Sequence, residues 1–146
     1  MKPIDVAILT ESRYVDPAEE SEYITNVLWE DGLLRQALED IGLTVVRIDW
    51  ADTGFDWKST RCAVFRTTWD YFNRFPEFDA WLSRVQNQTM FINSIQQVRW
   101  NMDKWYLNDL NEKGVRVVKS KFMERGDARM LRELFLELDC DDAVLK

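Results

Sequence analysis

The chain contains no histidine. That removes the commonest general base near neutral pH, every Ser–His or Cys–His nucleophilic pair, and the commonest metal ligand. Cysteine is nearly absent: Cys62 and Cys140 are the only two, far apart and in or beside predicted strands. They read as buried thiols of a cytoplasmic protein, not as a disulfide or a metal site. Glycine is scarce, five in 146 residues, and no Gly-x-Gly-x-x-Gly follows the first apolar run, so a dinucleotide site is not expected. No apolar run approaches the roughly 20 residues that cross a bilayer, and residues 1–5 hold no apolar signal region. Positive charge is also short. Nineteen Lys and Arg face 26 Asp and Glu, giving a net charge of −7 and a pI near 4.7. An acidic surface of this kind argues against nucleic acid and anionic membranes, both of which need clustered cations.

What the chain does have is apolar and aromatic content. It is 46% hydrophobic and 31% charged, the balance of a soluble globular domain long enough to bury a core. Seven tryptophans suggest core or hinge packing, with a sugar-stacking platform as the alternative.

Residues 4–9 are a short apolar run interrupted by one Asp, the pattern of a buried parallel strand. Residues 13–20 are polar and contain Pro17, which predicts a loop. From Ser21 the period changes: Ile24, Val27, Leu28, Leu34, Leu38 and Ile41 share a helical face, and Gly42 is a stop signal. Gly32 inside that helix is expected to mark a kink or close packing. Residues 44–50, 62–67 and 89–92 predict three more strands. Pro76 opens a helix whose apolar face is Phe78, Trp81, Leu82 and Val85. Alternating strands and helices of this length give a parallel sheet with right-handed crossovers. The expected fold is therefore α/β, a Rossmann-like layer of order 2-1-3-4 with helices on both faces. Residues 115–122 are expected to be extended, 130–138 helical, and 142–146 the start of a strand.

In this order the chain leaves strands 1 and 3 in opposite directions, and ligands bind at such a switch point beyond the strands' C-terminal ends. Two loops meet there, Thr10-Glu11-Ser12-Arg13 and Thr67-Thr68-Trp69-Asp70-Tyr71. With Arg66 they offer two arginines, two carboxylates and several hydroxyls. An arginine fork suits a carboxylate and an acid suits an ammonium, so the set fits an amino-acid-like ligand. Arg66 is the candidate for the carboxylate contact and Asp70 for the ammonium. The alternative is an ordinary salt-bridged loop with Trp69 and Tyr71 packed beneath it.

The segment Arg99-Trp100-Asn101-Met102-Asp103-Lys104-Trp105-Tyr106-Leu107-Asn108-Asp109-Leu110 predicts a helix capped by Asn101 and ended at Gly114. Lys104 then falls in its first turn. A cation there opposes the helix dipole by roughly 0.3–1 kcal/mol. Either it serves an anion, which helix N-termini favour, or it is a solvated surface lysine.

These motifs carry a resemblance. Trp100-Asn101-Met102-Asp103-Lys104-Trp105-Tyr106-Leu107 resembles the Trp-Asn-x-Asp-Lys-x-Tyr-Leu signature of a branch of the ATP-grasp ligases. Arg66-Thr67-Thr68-Trp69-Asp70-Tyr71 resembles that branch's Arg-(Ser/Thr)-Thr-Trp-Asp-Tyr segment, Phe78-Asp79-Ala80-Trp81-Leu82 its Phe-x-x-Trp-Leu helix, and Ala143-Val144-Leu145-Lys146 the strand bearing its second nucleotide lysine. The resemblance implies a pre-ATP-grasp domain over 1–114 and the beginning of the nucleotide-binding lobe over 115–146. It implies that Lys104 and Lys146 contact ATP, that Glu11, Arg13, Arg66, Thr68, Trp69, Asp70 and Tyr71 face the small substrate, and that ATP and Mg²⁺ serve the intact enzyme. The family's Mg²⁺ ligands lie in a second lobe with no counterpart here. The expectation is an N-terminal fragment of a carboxylate–amine ligase that works through an acyl-phosphate and is inactive alone. Leu134 and Leu138 would then be under-packed and open to homodimer contacts. The rival is a stand-alone Rossmann-like module that binds a metabolite or dimerises without catalysis. A receiver-like domain fits less well, because Arg66 and two threonines stand where a phospho-acceptor Asp would end strand 3.

Overall fold

The computed structural model describes residues 2–19 and 21–144. Its centre is β1 (Ile4–Thr10), whose Val6, Ala7, Ile8 and Leu9 are all buried. Both edges of β1 are paired in parallel, with β2 (Val45–Asp49) on one side and β3 (Thr60–Thr67) on the other; β4 (Met90–Ile92) joins β3. The sheet order is β2-β1-β3-β4, as the sequence pattern predicted. A strand flanked on both edges and covered on both faces needs apolar side chains in succession, which explains the run in β1. The β1–β3 register runs regularly to Leu9 opposite Phe65 and then slips, so that Thr10 pairs with Thr67. Arg66 is the extra residue of this bulge, at the strand end where bulges re-aim side chains.

Helix α1 (Glu22–Asp40) starts where Ser21 Oγ accepts from Ile24 N at 3.2 Å. It ends in a Schellman closure: Gly42, at φ 87°, donates to Glu39 O, and Leu43 donates to Leu38 O. Its buried positions are Val27 and, unexpectedly, the charged Asp31. Ile41, expected on the buried face, is the C-cap and is exposed. Helix α2 (Phe75–Val85) begins with proline in its first turn and buries Phe78, Trp81, Leu82 and Val85, the predicted face. These meet an aromatic cluster on the sheet. Trp50 lies 4.9 Å from Phe78 and Trp57 5.3 Å from Trp81, ring centre to ring centre, in edge-on geometry. Phe65 points to this α2 face and its neighbour Arg66 to the α1 face, as strand alternation requires. Helices therefore cover both faces. Trp50, Trp57 and Trp81 are core residues, whereas Trp29, Trp69, Trp100 and Trp105 keep substantial exposure.

The chain divides into two compact units, Met1–Val98 and Arg99–Lys146, with the boundary inside α3 (Ile95–Met102). Asn101 does not cap a helix; it lies within α3. In the turn before α4 (Tyr106–Glu112), Asp103 Oδ1 accepts from Trp105 N at 2.8 Å, and Trp105 stands at the helix N-cap. The first helix had been hidden in the sequence because its polar turns, Gln96-Gln97 and Arg99, interrupt any apolar stripe. Gly114 closes α4 as expected, at φ 79°. Residues 115–122 join no strand, and 142–144 form none; residues 145 and 146 lie outside the described residues, and the expected strand falls partly on them. Helix α5 (Leu131–Leu138) buries Leu134 and half-buries Leu138, while Leu131 and Leu136 are exposed. Both cysteines are free and half-buried, and among the described residues no helix is long and apolar enough to cross a membrane.

Gly32 marks no close approach. It sits in the exposed middle of α1, and a Cβ there would meet nothing within 4 Å. Gly32→Ala should raise unfolding free energy by about 0.5–1 kcal/mol through helix propensity alone. Urea denaturation measures this, and a destabilised variant would mean that the site is covered.

Candidate functional site

Beyond Thr10 the chain turns through a short 3-10 segment, Ser12–Tyr14. Glu11 N donates to Thr67 O at 3.0 Å, which extends the β1–β3 ladder into the loop. The Glu11 side chain is buried at 2% exposure and takes the Arg13 guanidinium on both oxygens, at 2.6 and 3.1 Å. Arg13 itself is 67% exposed. Glu11 raises the Arg13 pKa above its ordinary value, so the cation is permanent and fixed by a two-point fork. Its guanidinium carbon also lies 5.3 Å from the Tyr14 ring.

The loop after β3 folds as a 3-10 turn, Trp69–Phe72. Trp69 sets its ring edge-on to Tyr14, centres 5.7 Å apart, and lies 6.1 Å from Tyr23 of α1. The two loops are thus in contact. Asp70 accepts from the Trp50 indole N–H and from Arg74, each at 2.8 Å. Arg74 stacks over the Trp50 ring at 4.6 Å, and Glu77, then Asp70, hold its guanidinium firmly charged. Asp49 ends β2 nearby, and burial, reinforced by the charge of Asp70, raises its pKa. Tyr71 packs on Phe78 at 5.4 Å, and its N–H donates to the carbonyl of buried Thr68 at 3.2 Å.

Beneath the loops lies a charged network. Asp31 of α1, 1% exposed, accepts from Arg47 Nε at 2.8 Å and from Arg66 Nε at 3.1 Å. Thr10 and Thr67 exchange a hydroxyl hydrogen bond at 2.5 Å beside it. Arg66 also reaches Glu30 of α1 at 3.5 Å.

The structure brings Glu11, Arg13, Thr68, Trp69 and Asp70 to one rim at the C-terminal ends of β1 and β3. Arg66 is different: it alternates with Phe65 onto the α1 face, where Asp31 and Glu30 hold it. Tyr71 supports the loop from the α2 side. Lys104 belongs to the second unit, with its ammonium 5.5 Å from the Tyr106 ring centre. Lys146 lies outside the described residues. Sequence reading missed Asp31, Arg47, Asp49, Trp50 and Arg74. A signal existed for Asp31, which stands four residues after Val27 and three before Leu34, on the stripe meant for the core. The rim can grip an anion with Arg13 and orient a cation toward Asp70. Among the described residues no group of three or more Cys, Asp or Glu could hold a metal ion.

Residues 6–93 match the family model for the D-cycloserine synthetase DcsG N-terminal domain. The cycloserine biosynthesis protein DcsG of Streptomyces lavendulae is 37% identical over 93 residues, which is 64% of this chain and 31% of that protein. The crystal structure of D-cycloserine synthetase DcsG superposes with a TM-score of 0.66 at 31% identity, covering 77% of this chain and 35% of that one. The chain spans about a third of the length of these relatives.

The network predicts unequal responses on α1. Asp31→Ala leaves Arg47 without its carboxylate and should destabilise by about 3–5 kcal/mol. Glu30→Ala removes an exposed bridge and should cost about 0.5 kcal/mol or less. Chemical denaturation of the two variants separates them, and similar losses would contradict this account.

Proposed function

The chain belongs to the family of the D-cycloserine synthetase N-terminal domain, and from that premise we propose that it is the substrate-side domain of an ATP-dependent carboxylate–amine ligase. The reaction class is acyl-phosphate chemistry. A substrate carboxylate oxygen attacks the γ-phosphorus of ATP and ADP leaves; an amine then attacks the acyl carbon and phosphate leaves. No side-chain nucleophile takes part, which suits a chain without histidine. The chain's own task is to hold and orient an amino-acid-like substrate.

The observation that carries this reading is the Glu11–Arg13 fork set beside Trp69 and Asp70 at the switch point. Buried Glu11 holds an exposed guanidinium, so Arg13 meets a carboxylate already oriented and little side-chain entropy is lost on binding. This moves the carboxylate contact from Arg66 to Arg13, because Arg66 is shared between two acids of α1 and 35% exposed, whereas Arg13 is 67% exposed. Asp70 keeps the ammonium contact. Its oxygens already accept from Trp50 and Arg74, but a carboxylate has about four lone-pair sites.

Lys104 is proposed to approach the nucleotide phosphates, with Lys146 as its partner, since a lysine offers phosphate a compact cation. Bound ATP supplies the phosphoryl group that activates the carboxylate. Mg²⁺ is proposed to be held by the part of the ligase outside this domain, and no step is assigned to it here.

In the ligase that carries this domain, Arg13→Ala should raise KM for the amino-acid substrate about 10- to 100-fold, the loss of one charge-assisted bond. KM for ATP should stay within about twofold. Unchanged substrate KM in a folded variant would remove Arg13 from the site. This chain alone should show no micromolar, Mg²⁺-dependent ATP binding by calorimetry, and its detection would refute the division of labour.

A further inference from the structure

The Arg13 fork is only useful if the turn that carries it is held still, and one buried side chain does that. Arg47 stands in mid-strand on β2, opposite Ile8 of β1, with a side chain 13% exposed. Its guanidinium donates in three directions. Nε meets Asp31 Oδ2 of α1 at 2.8 Å, Nη2 meets Thr10 Oγ1 at the end of β1 at 3.2 Å, and Nη1 meets the main-chain carbonyl of Tyr14. One rigid plane thus ties a helix, a strand end and the loop beyond it. Asp31, with Arg66 on its other oxygen, fixes the guanidinium in turn.

We propose that Arg47, set by Asp31, is a positioning residue for the substrate loop, acting through the Tyr14 carbonyl on the orientation of Arg13 and on the Tyr14–Trp69 contact. The proposal deepens the reading above and rests on it. Tyr14 is next to Arg13 in the chain, and its ring meets Trp69. Fixing the Tyr14 carbonyl therefore sets both walls of the rim at once. Thr10, the second acceptor, also shares its hydroxyl bond with Thr67, so the same plane registers β1 against β3 at the bulge. Nothing in this arrangement requires Arg47 to touch substrate. A lysine could keep the charge on Asp31, but a single ammonium on a flexible stem cannot reproduce the three-way fork.

The test uses the ligase with Arg47→Lys and Arg47→Met, beside Arg13→Ala. Two quantities are read: steady-state KM for each substrate, and hydrogen exchange of the amides of residues 11–15. In Arg47→Lys the substrate KM should rise about fivefold or more with ATP KM near its original value. Exchange over 11–15 should accelerate about tenfold while the amides of β1 and β3 stay protected. Arg47→Met should exceed Arg47→Lys in both. The proposal is overturned if folded Arg47→Lys exchanges over 11–15 as the wild type does. It is overturned equally if exchange accelerates while substrate KM stays put in a ligase where Arg13→Ala does raise it. Loss of protection throughout both variants also overturns it, since Arg47 would then be a stability residue. If Arg13→Ala leaves substrate KM unchanged, the site reading has failed and the proposal falls with it; the exchange measurement shows separately whether Arg47 held the loop.

Discussion

Burying a carboxylate costs several kcal/mol unless cations and donors surround it. Asp31 is 1% exposed and lies on the face that α1 turns to the sheet, so the sheet must supply those cations. It does so from two strands, with Arg47 on β2 and Arg66 on β3. This fixes how α1 sits across three strands, because sliding the helix would separate a buried charge from its partners. Glu30 beside Arg66 completes two acids against two guanidiniums, leaving no net charge under the loops. The β1–β3 bulge belongs to the same constraint, since it releases Arg66 from the ladder and brings Thr67 opposite Thr10.

The other face is governed by packing rather than charge. Trp50, Trp57, Phe65, Phe78, Trp81 and Phe91 interlock at ring distances near 5–6 Å. The loop that carries Trp69 and Asp70 is anchored into this cluster through the Trp50 indole and Tyr71. The candidate site therefore stands between an ionic layer and an aromatic one. Each loop has its support in a different layer, and they meet through the Tyr14–Trp69 pair and the Glu11–Thr67 main-chain bond.

Much of the fold was legible because periodicity reports burial. The apolar run of β1 announced a strand covered on both faces, and Gly42 and Gly114 announced helix ends that the left-handed backbone confirms. The strand order followed from connection rules rather than from any residue. What failed was local and polar. Asn101 reads as a cap because the polar turns of α3 hide the helix in which it lies. In the site, Glu11, Arg13 and Asp70 could be read as charges in loops at a switch point. The partners of Arg66 could not be read, because they depend on α1 bringing Asp31 and Glu30 to that face of β3, which no local pattern encodes. Arg47 was invisible for a similar reason: an arginine in a strand looks like an outward-facing residue until a buried acid on a helix 16 positions away claims it.

In the proposed ligase, Arg13 and Asp70 are the groups that orient an amino-acid-like substrate at the ends of β1 and β3. The most direct measurement is a crystal structure of that ligase with its amino-acid substrate and a non-hydrolysable ATP analogue. The account predicts the substrate carboxylate against Arg13, its ammonium toward Asp70, and Trp69 alongside. Substrate bound on another face, with the Glu11–Arg13 fork turned to solvent, would contradict it.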